Sequence, residues 1–276
     1  MDEAIDAHLH VWTDDRLQYP RIPHGADYSP QKFTPQDFLA HARPNGVKRA
    51  VLVQMSFYGF DNSYMLDSVE AHTGLFSGIA IVDSHAERPD RAMQALARQG
   101  VRGFRITPDY APQTWLDTEG MAAMWRYAAE QRLAMCPLIN PDALAALDRM
   151  CVRFPHTPVV IDHFARIGVD GEIRDADVSR LCGLAAHSNI YVKASAFYAL
   201  GRKQAPHDDL LPLVRRVFEA YGPRRLMWGS DCPFQVQDGH AYADSIDFVR
   251  NRAAFLTEND REWLLWKTAE SLFFAP

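Results

Sequence analysis

The sequence has no cysteine pair at C-x-x-C spacing, no glycine-rich phosphate loop, no block of basic residues and no long uncharged apolar run. Each absence removes a class of function. The four cysteines, Cys136, Cys151, Cys182 and Cys232, are scattered, three of them in apolar segments, which reads as buried free thiols rather than a disulfide framework. No G-x-G-x-x-G follows the first apolar run and no G-x-x-x-x-G-K-[ST] occurs, which excludes the dinucleotide and P-loop sites. The G-x-S-x-G elbow of serine hydrolases is missing as well. Lys and Arg total 29 against 35 Asp and Glu, a formal net charge of -6, so clustered positive charge for nucleic acid is lacking. Without a basic-then-apolar leader or an apolar span, neither a signal peptide nor a membrane segment is expected, and the expected location is cytoplasmic.

What is present is a regular alternation. The 276 residues are 47% hydrophobic, enough for one large core, and they are expected to form one domain over 1–276. Eight β-rich apolar runs are expected as strands: Ala4–Val11, Arg49–Ser56, Phe76–Val82, Val101–Thr107, Leu133–Ile139, Pro158–Phe164, Ile190–Ala196 and Arg225–Ser230. Helical patterns fill the intervals at Asp61–His72, Pro89–Arg98, Glu119–Gln131, Pro141–Phe154, Asp175–His187 and Leu210–Tyr221. Caps are expected at Asn62 or Ser63, at Asp175, and at Asp208 or Asp209. Tyr242–Ala253 and Glu258–Phe273 supply the last helices. Eight βα units in a chain of this size predict a (β/α)8 TIM barrel. The longest irregular stretch, Thr13–Thr34, then follows strand one and lies over the mouth of the barrel.

The first strand reads Ile5-Asp6-Ala7-His8-Leu9-His10, and period-two geometry puts Asp6, His8 and His10 on one face. Two imidazoles on an apolar strand need partners, and a metal ion or a polar substrate provides them. Asp231 follows the apolar run of strand eight and precedes Pro233, placing a carboxylate at the mouth. Strand six ends in Asp162-His163, where His163 is suited to be a metal ligand or a donor to a carbonyl. Arg105 closes strand four and Lys193 lies in strand seven; both suit a carboxylated substrate, or else an internal ion pair with Asp6 or Asp162.

The stretches Asp6–Trp12, Val51–Asn62, Gly100–Ile106, Val160–Arg166, Tyr191–Tyr198 and Arg225–Phe234 together resemble the amidohydrolase superfamily, in its branch of pyrone-dicarboxylate lactonases, sugar lactonases and acid decarboxylases. The resemblance runs from the first strand to the last. It implies that Asp231, His163, His8 and His10 are catalytic and that the same four could hold one divalent metal ion, zinc foremost. It also implies a small carboxylate-bearing lactone as partner, with Ser56, Arg105, Arg166, Lys193 and Tyr198 contacting it. Asp231 would activate water, on the metal or without one. Lactone isomerisation, decarboxylation at the same site, and a non-catalytic binding barrel are the alternatives. Three departures stand out. Strand five carries Cys136 and no histidine, strand four has Arg105 in place of a metal-bridging lysine, and Ala199 stands about where pyrone-dicarboxylate lactonases carry an arginine, with Arg202 nearby.

Overall fold

The computed structural model describes residues 3–23, 27–108 and 114–275. Eight strands follow one another in space as in sequence: β1 Ala4–Leu9, β2 Val47–Val53, β3 Phe76–Ala80, β4 Val101–Ile106, β5 Ala134–Pro137, β6 Val159–Ile161, β7 Ile190–Ser195 and β8 Leu226–Gly229. All neighbouring pairs are parallel. The sheet meets itself just beyond β8, where Leu9 bridges Cys232, His10 N–H donates to Cys232 O at 2.8 Å, and Asp231 N–H donates to His8 O at 2.7 Å. This is the expected (β/α)8 barrel.

Helices occupy the intervals between strands: α1 Pro35–Ala42, α2 Ser63–Ala71, α3 Pro89–Ala97, α4 Glu119–Gln131, α5 Leu144–Arg153, α6 Asp175–Gly183, α7 Leu211–Tyr221 and α8 Tyr242–Asp247. Helix α1 lies outside the expected set, although its signal is legible. Thr34 caps it and exchanges hydrogen bonds with Asp37, a capping box read as T-x-x-D. Asn62 holds the expected N-cap position of α2 but makes no side-chain capping bond; its amide donates to the carbonyls of Phe60 and Ile81, tying α2 to the end of β3. Asp175 is the first residue of α6 rather than its cap, and Asp208 and Asp209 sit in a short 3-10 turn before α7. Thr13–Thr34 is irregular, apart from residues 24–26, which lie outside the described residues, and its two ends are pinned by paired backbone bonds between Trp12 and Phe33.

Two apolar layers result. Ile5, Ala7, Val51, Val53, Ile79, Ala134, Cys136, Val160 and Met227 fill the barrel interior, and a larger cluster lies between the strands and the helices. After α9 (Glu258–Glu262), α10 (Thr268–Phe273) inserts Ala269 and Phe273 into the interior cluster. It touches β1, β4 and β8, strands on opposite sides of the cylinder, so it lies across the barrel's floor. The C-terminal ends of the strands are left for the site. Among the described residues no helix is long and apolar enough to cross a membrane.

Candidate active site

The first strand does not keep strict alternation. Asp6 is paired with Ala50 and Leu9 with Leu52, so three steps on β1 span two on β2. The extra residue is a bulge that turns both Ala7 and His8 inward. Asp6 therefore leaves the face it was expected to share with the histidines. It points toward the helices, where it accepts the N–H of Ser230 at 2.8 Å, the N–H of His8 at 3.2 Å and the hydroxyl of Tyr242 at 2.8 Å. Burial raises its carboxyl to about 6, against the lowering effect of those donors. Its work is structural: it fastens β1 to the end of β8.

Three strand ends carry backbone that side chains rarely adopt. Asp231, after β8, has φ of 63°, and Ala196, after β7, has φ of 56°. After β6, four successive residues, His163, Phe164, Ala165 and Arg166, have φ between 52° and 56°, forming one left-handed turn without a glycine. Each costs on the order of 1–2 kcal/mol, and such strain collects at functional sites. Gly229 permits the seam itself: a Cβ there would lie 2.8 Å from His8 Cβ and 2.9 Å from its backbone nitrogen.

These devices bring the expected residues together. Asp231 Oδ1 lies 3.3 Å from His10 Nε2 and 3.5 Å from His8 Nε2, and its Oδ2 lies 3.8 Å from His163 Nε2. Tyr198 donates its hydroxyl to Asp231 Oδ2 at 2.7 Å. His10 Nδ1 is 2.8 Å from the carbonyl of Val53, which can only accept, so Nδ1 carries the proton and Nε2 a lone pair. Arg105 donates to His8 Nε2 at 2.9 Å, and His8 Nδ1 lies 3.2 Å from both Asp162 Oδ1 and Lys193 Nζ. His163 Nδ1 meets Ser195 Oγ at 2.8 Å.

Asp162, outside the catalytic set that the sequence implies, is the hub beneath the site. Its carboxylate pairs with Lys193 at 3.0 Å, Arg105 at 3.1 Å and His8 at 3.2 Å, all buried. Burial alone would raise it, but Lys193, His8 and Arg105 hold it well below the usual carboxylate range. Of the two roles the sequence left open for Lys193, the structure contains the internal ion pair. Lys193 is fully buried and does not line the cavity described next. No alternation rule reveals such a pairing, because it joins β7 to the end of β6.

A cavity of about 350 Å³ opens above this hub, lined by His10, Ser56, Arg105, His163, Arg166, Tyr198 and Asp231 among others. Thr107, Tyr28 and Phe234 also line it and were not singled out from the sequence. Cys136 faces the barrel interior, and burial pushes its thiol up to about 12, so it is inert. Arg202 is exposed and contributes nothing to the lining.

The electrostatics separate the groups. Burial lowers His163 to about 4 against the pull of Asp231 and Asp162, and lowers His8 well below its ordinary value with the help of Lys193, so both imidazoles are neutral near pH 7. Burial disfavours the Asp231 anion, yet His163, His10 and His8 hold its carboxyl below the ordinary range, and it is ionised. Tyr198 is raised by burial and by the Asp231 charge and remains a donor. Asp231 Oδ1 is buried and receives no hydrogen bond from the described residues.

That orphaned oxygen and the two imidazole lone pairs beside it, 3.3–3.5 Å apart, fit a small cation. Tetrahedral ligands at zinc–nitrogen distances of 2.0–2.1 Å stand roughly 3.4 Å from one another. His8, His163 and Asp231 likewise offer ligand atoms within 4.8 Å of each other. Arg105 competes for the His8 Nε2 lone pair.

Comparison with known proteins agrees with this geometry. The amidohydrolase family profile matches residues 5–275. The chain is 31% identical over 245 residues to the L-fucono-1,5-lactonase of Burkholderia ambifaria, covering 87% of this chain and 83% of that protein. It is 29% identical over 232 residues to a 4-sulfomuconolactone hydrolase of Rhizobium radiobacter, covering 83% and 75%. Among solved structures, a probable 2-pyrone-4,6-dicarboxylic acid hydrolase of Acinetobacter baumannii with citric acid bound superposes with a TM-score of 0.82 at 26% identity, over 100% of both chains. With a profile that starts inside β1 and ends beyond α10, and with curated relatives that share most of its length, the chain belongs to the amidohydrolase family.

Proposed function

We propose that the protein is a hydrolase that opens a small carboxylated lactone. The observation that carries the reading is Asp231: an ionised carboxylate at the floor of an open cavity, with one oxygen that receives no hydrogen bond from the described residues and neutral imidazoles on either side. The lactone-hydrolase names of its relatives support it.

In this reading Asp231 Oδ1 takes a proton from water as the water attacks the ring carbonyl, and later returns it to the departing alkoxide. With no ion bound, His163, its Nδ1 held against Ser195 Oγ, turns Nε2–H toward the carbonyl oxygen, and Arg105 stabilises the same developing charge. Tyr198 holds Oδ2 so that Oδ1 faces the water. Ser56 and Arg166 receive the far end of the substrate. His8, His10, His163 and Asp231 are the residues that would hold one zinc ion, which when bound supplies Lewis acidity that favours ionisation of water.

The test is turnover in isotope-labelled water for wild type and Asp231→Asn. Hydrolysis places one solvent oxygen in the new carboxylate, and Asp231→Asn is expected to lose at least about a hundredfold in kcat, the usual scale of general-base removal. Product free of solvent oxygen, or equal rates in the two proteins, overturns the assignment.

A further inference from the structure

Two cations line the cavity, Arg105 and Arg166, and they differ in one respect. Arg105 is committed to Asp162 and His8. Arg166 stands at the end of the left-handed turn, partly buried, and its guanidinium has no carboxylate or hydrogen-bond partner among the described residues. The charges close to the cavity floor otherwise cancel: Arg105 and Lys193 against Asp162 and Asp231. Among the described residues one positive charge is left over, and a half-buried charge calls for one partner.

The remaining wall is poor in hydrogen-bonding groups. Met55, Ile81, Leu138, Val169, Leu200 and Phe234 make up much of it. The Tyr198 proton is already given to Asp231, which leaves Ser56, Thr107 and Tyr28, all three at the exposed rim, as the hydroxyls among the described residues free to meet a ligand, and none on the buried wall. A ring bearing three or four hydroxyls would leave some of them unmatched, and each costs about 1–3 kcal/mol when buried without a partner.

We propose that this cavity selects a lactone carrying one carboxylate on an otherwise apolar, hydroxyl-poor body, with Arg166 as the carboxylate's partner. The inference rests on the lactonase reading and narrows it: polyhydroxylated sugar lactones and dicarboxylates are the poorer substrates.

The experiment is a comparison of kcat/KM for four probes with the purified full chain: γ-butyrolactone-γ-carboxylate, its methyl ester, gluconolactone and a pyrone dicarboxylate. The monocarboxylate is expected to exceed each of the others by about a hundredfold, the scale a bidentate ion pair or a set of unmatched hydroxyls provides. In Arg166→Leu the acid-to-ester ratio should collapse to within about threefold of one, and Arg166→Lys should keep it above roughly tenfold. The wild-type ranking alone decides if a variant fails to fold. Preference for gluconolactone or for the dicarboxylate overturns this inference and leaves the lactonase reading standing. Absence of turnover on all four removes the lactonase reading itself, and this one with it.

Discussion

Replacing Gly229 with alanine puts a methyl group 2.8 Å from His8 Cβ, 2.9 Å from His8 N and 3.3 Å from His8 Cα. Comfortable carbon contacts begin near 3.5 Å, so the neighbour must give way by roughly 0.7 Å. None of the three atoms is the end of a flexible side chain. The whole of β1 at His8 has to move away from β8, against the seam bonds from Asp231 N–H to His8 O and from His10 N–H to Cys232 O. Overpacking of this kind costs about 1–3 kcal/mol, and a chain of this size loses roughly 2–4 °C of Tm per kcal/mol. The larger effect falls on the chemistry, because His8 and His10 carry the lone pairs that face Asp231. A misplacement approaching 1 Å costs up to about a hundredfold in rate. The assay is kcat/KM on the best lactone together with thermal unfolding, alongside Gly183→Ala, a glycine at the end of α6 with no atom within 4 Å of its added Cβ. The control should be neutral or gain up to about 1 kcal/mol. If Gly229→Ala keeps its activity within about threefold and its Tm unchanged, the close approach of β1 to β8 is not what sets the site.

Two further outcomes follow from the buried charges. Lys193→Met removes the cation 3.0 Å from Asp162 in a dry interior and should cost about 3–5 kcal/mol in chemical denaturation. Because Lys193 lies below the cavity, the relative kcat/KM across a lactone panel should not change; altered preference with unaltered stability would contradict its placement. Asp6→Asn tests the strut behind the seam. The Asp6 carboxyl is near 6 in the folded chain against 3.8 for an ordinary Asp, so the native state keeps this proton to higher pH. Its stabilising effect is full below pH about 4 and is lost as pH rises through about 6, some ~3 kcal/mol in all. An asparagine can accept from His8 and Ser230 and donate to the Tyr242 oxygen, without that loss. The stability difference between variant and wild type should therefore grow in the variant's favour from about pH 4 to pH 7, and a difference independent of pH would refute the assignment.

The barrel was legible because its strands announce themselves locally. Val159-Val160-Ile161 and Leu226-Met227-Trp228 are apolar runs buried on both faces, bounded by Pro158 and Asp162 in one case and by Arg225 and Gly229 in the other. The convergence of His8, His10, His163 and Asp231 followed from strand ends gathering at one rim. The phase of β1 did not follow, since Ile5-Asp6-Ala7-His8 alternates perfectly on paper and the bulge depends on its register with β2. The left-handed turn at His163–Arg166 is equally hidden, as Phe164 and Ala165 have no preference for positive φ and are held there by burial. The partnership of Lys193 with Asp162 joins residues from two strands, and composition offered Asp6 as an equal candidate. Thr34 and Asp37, by contrast, spelled out α1 in full view.

That turn after β6 has a consequence for how the pocket reads what enters it. His163 and Arg166 are the two ends of a single stiff coil, each residue wedged in a conformation with little room to relax. On the proposed role of Arg166, a ligand held by its acid at one end is offered to the imidazole at the other across a set gap. The segment would then set the main-chain part of the arm length between acid and ring, leaving only the reach of the Arg166 side chain to adjust it.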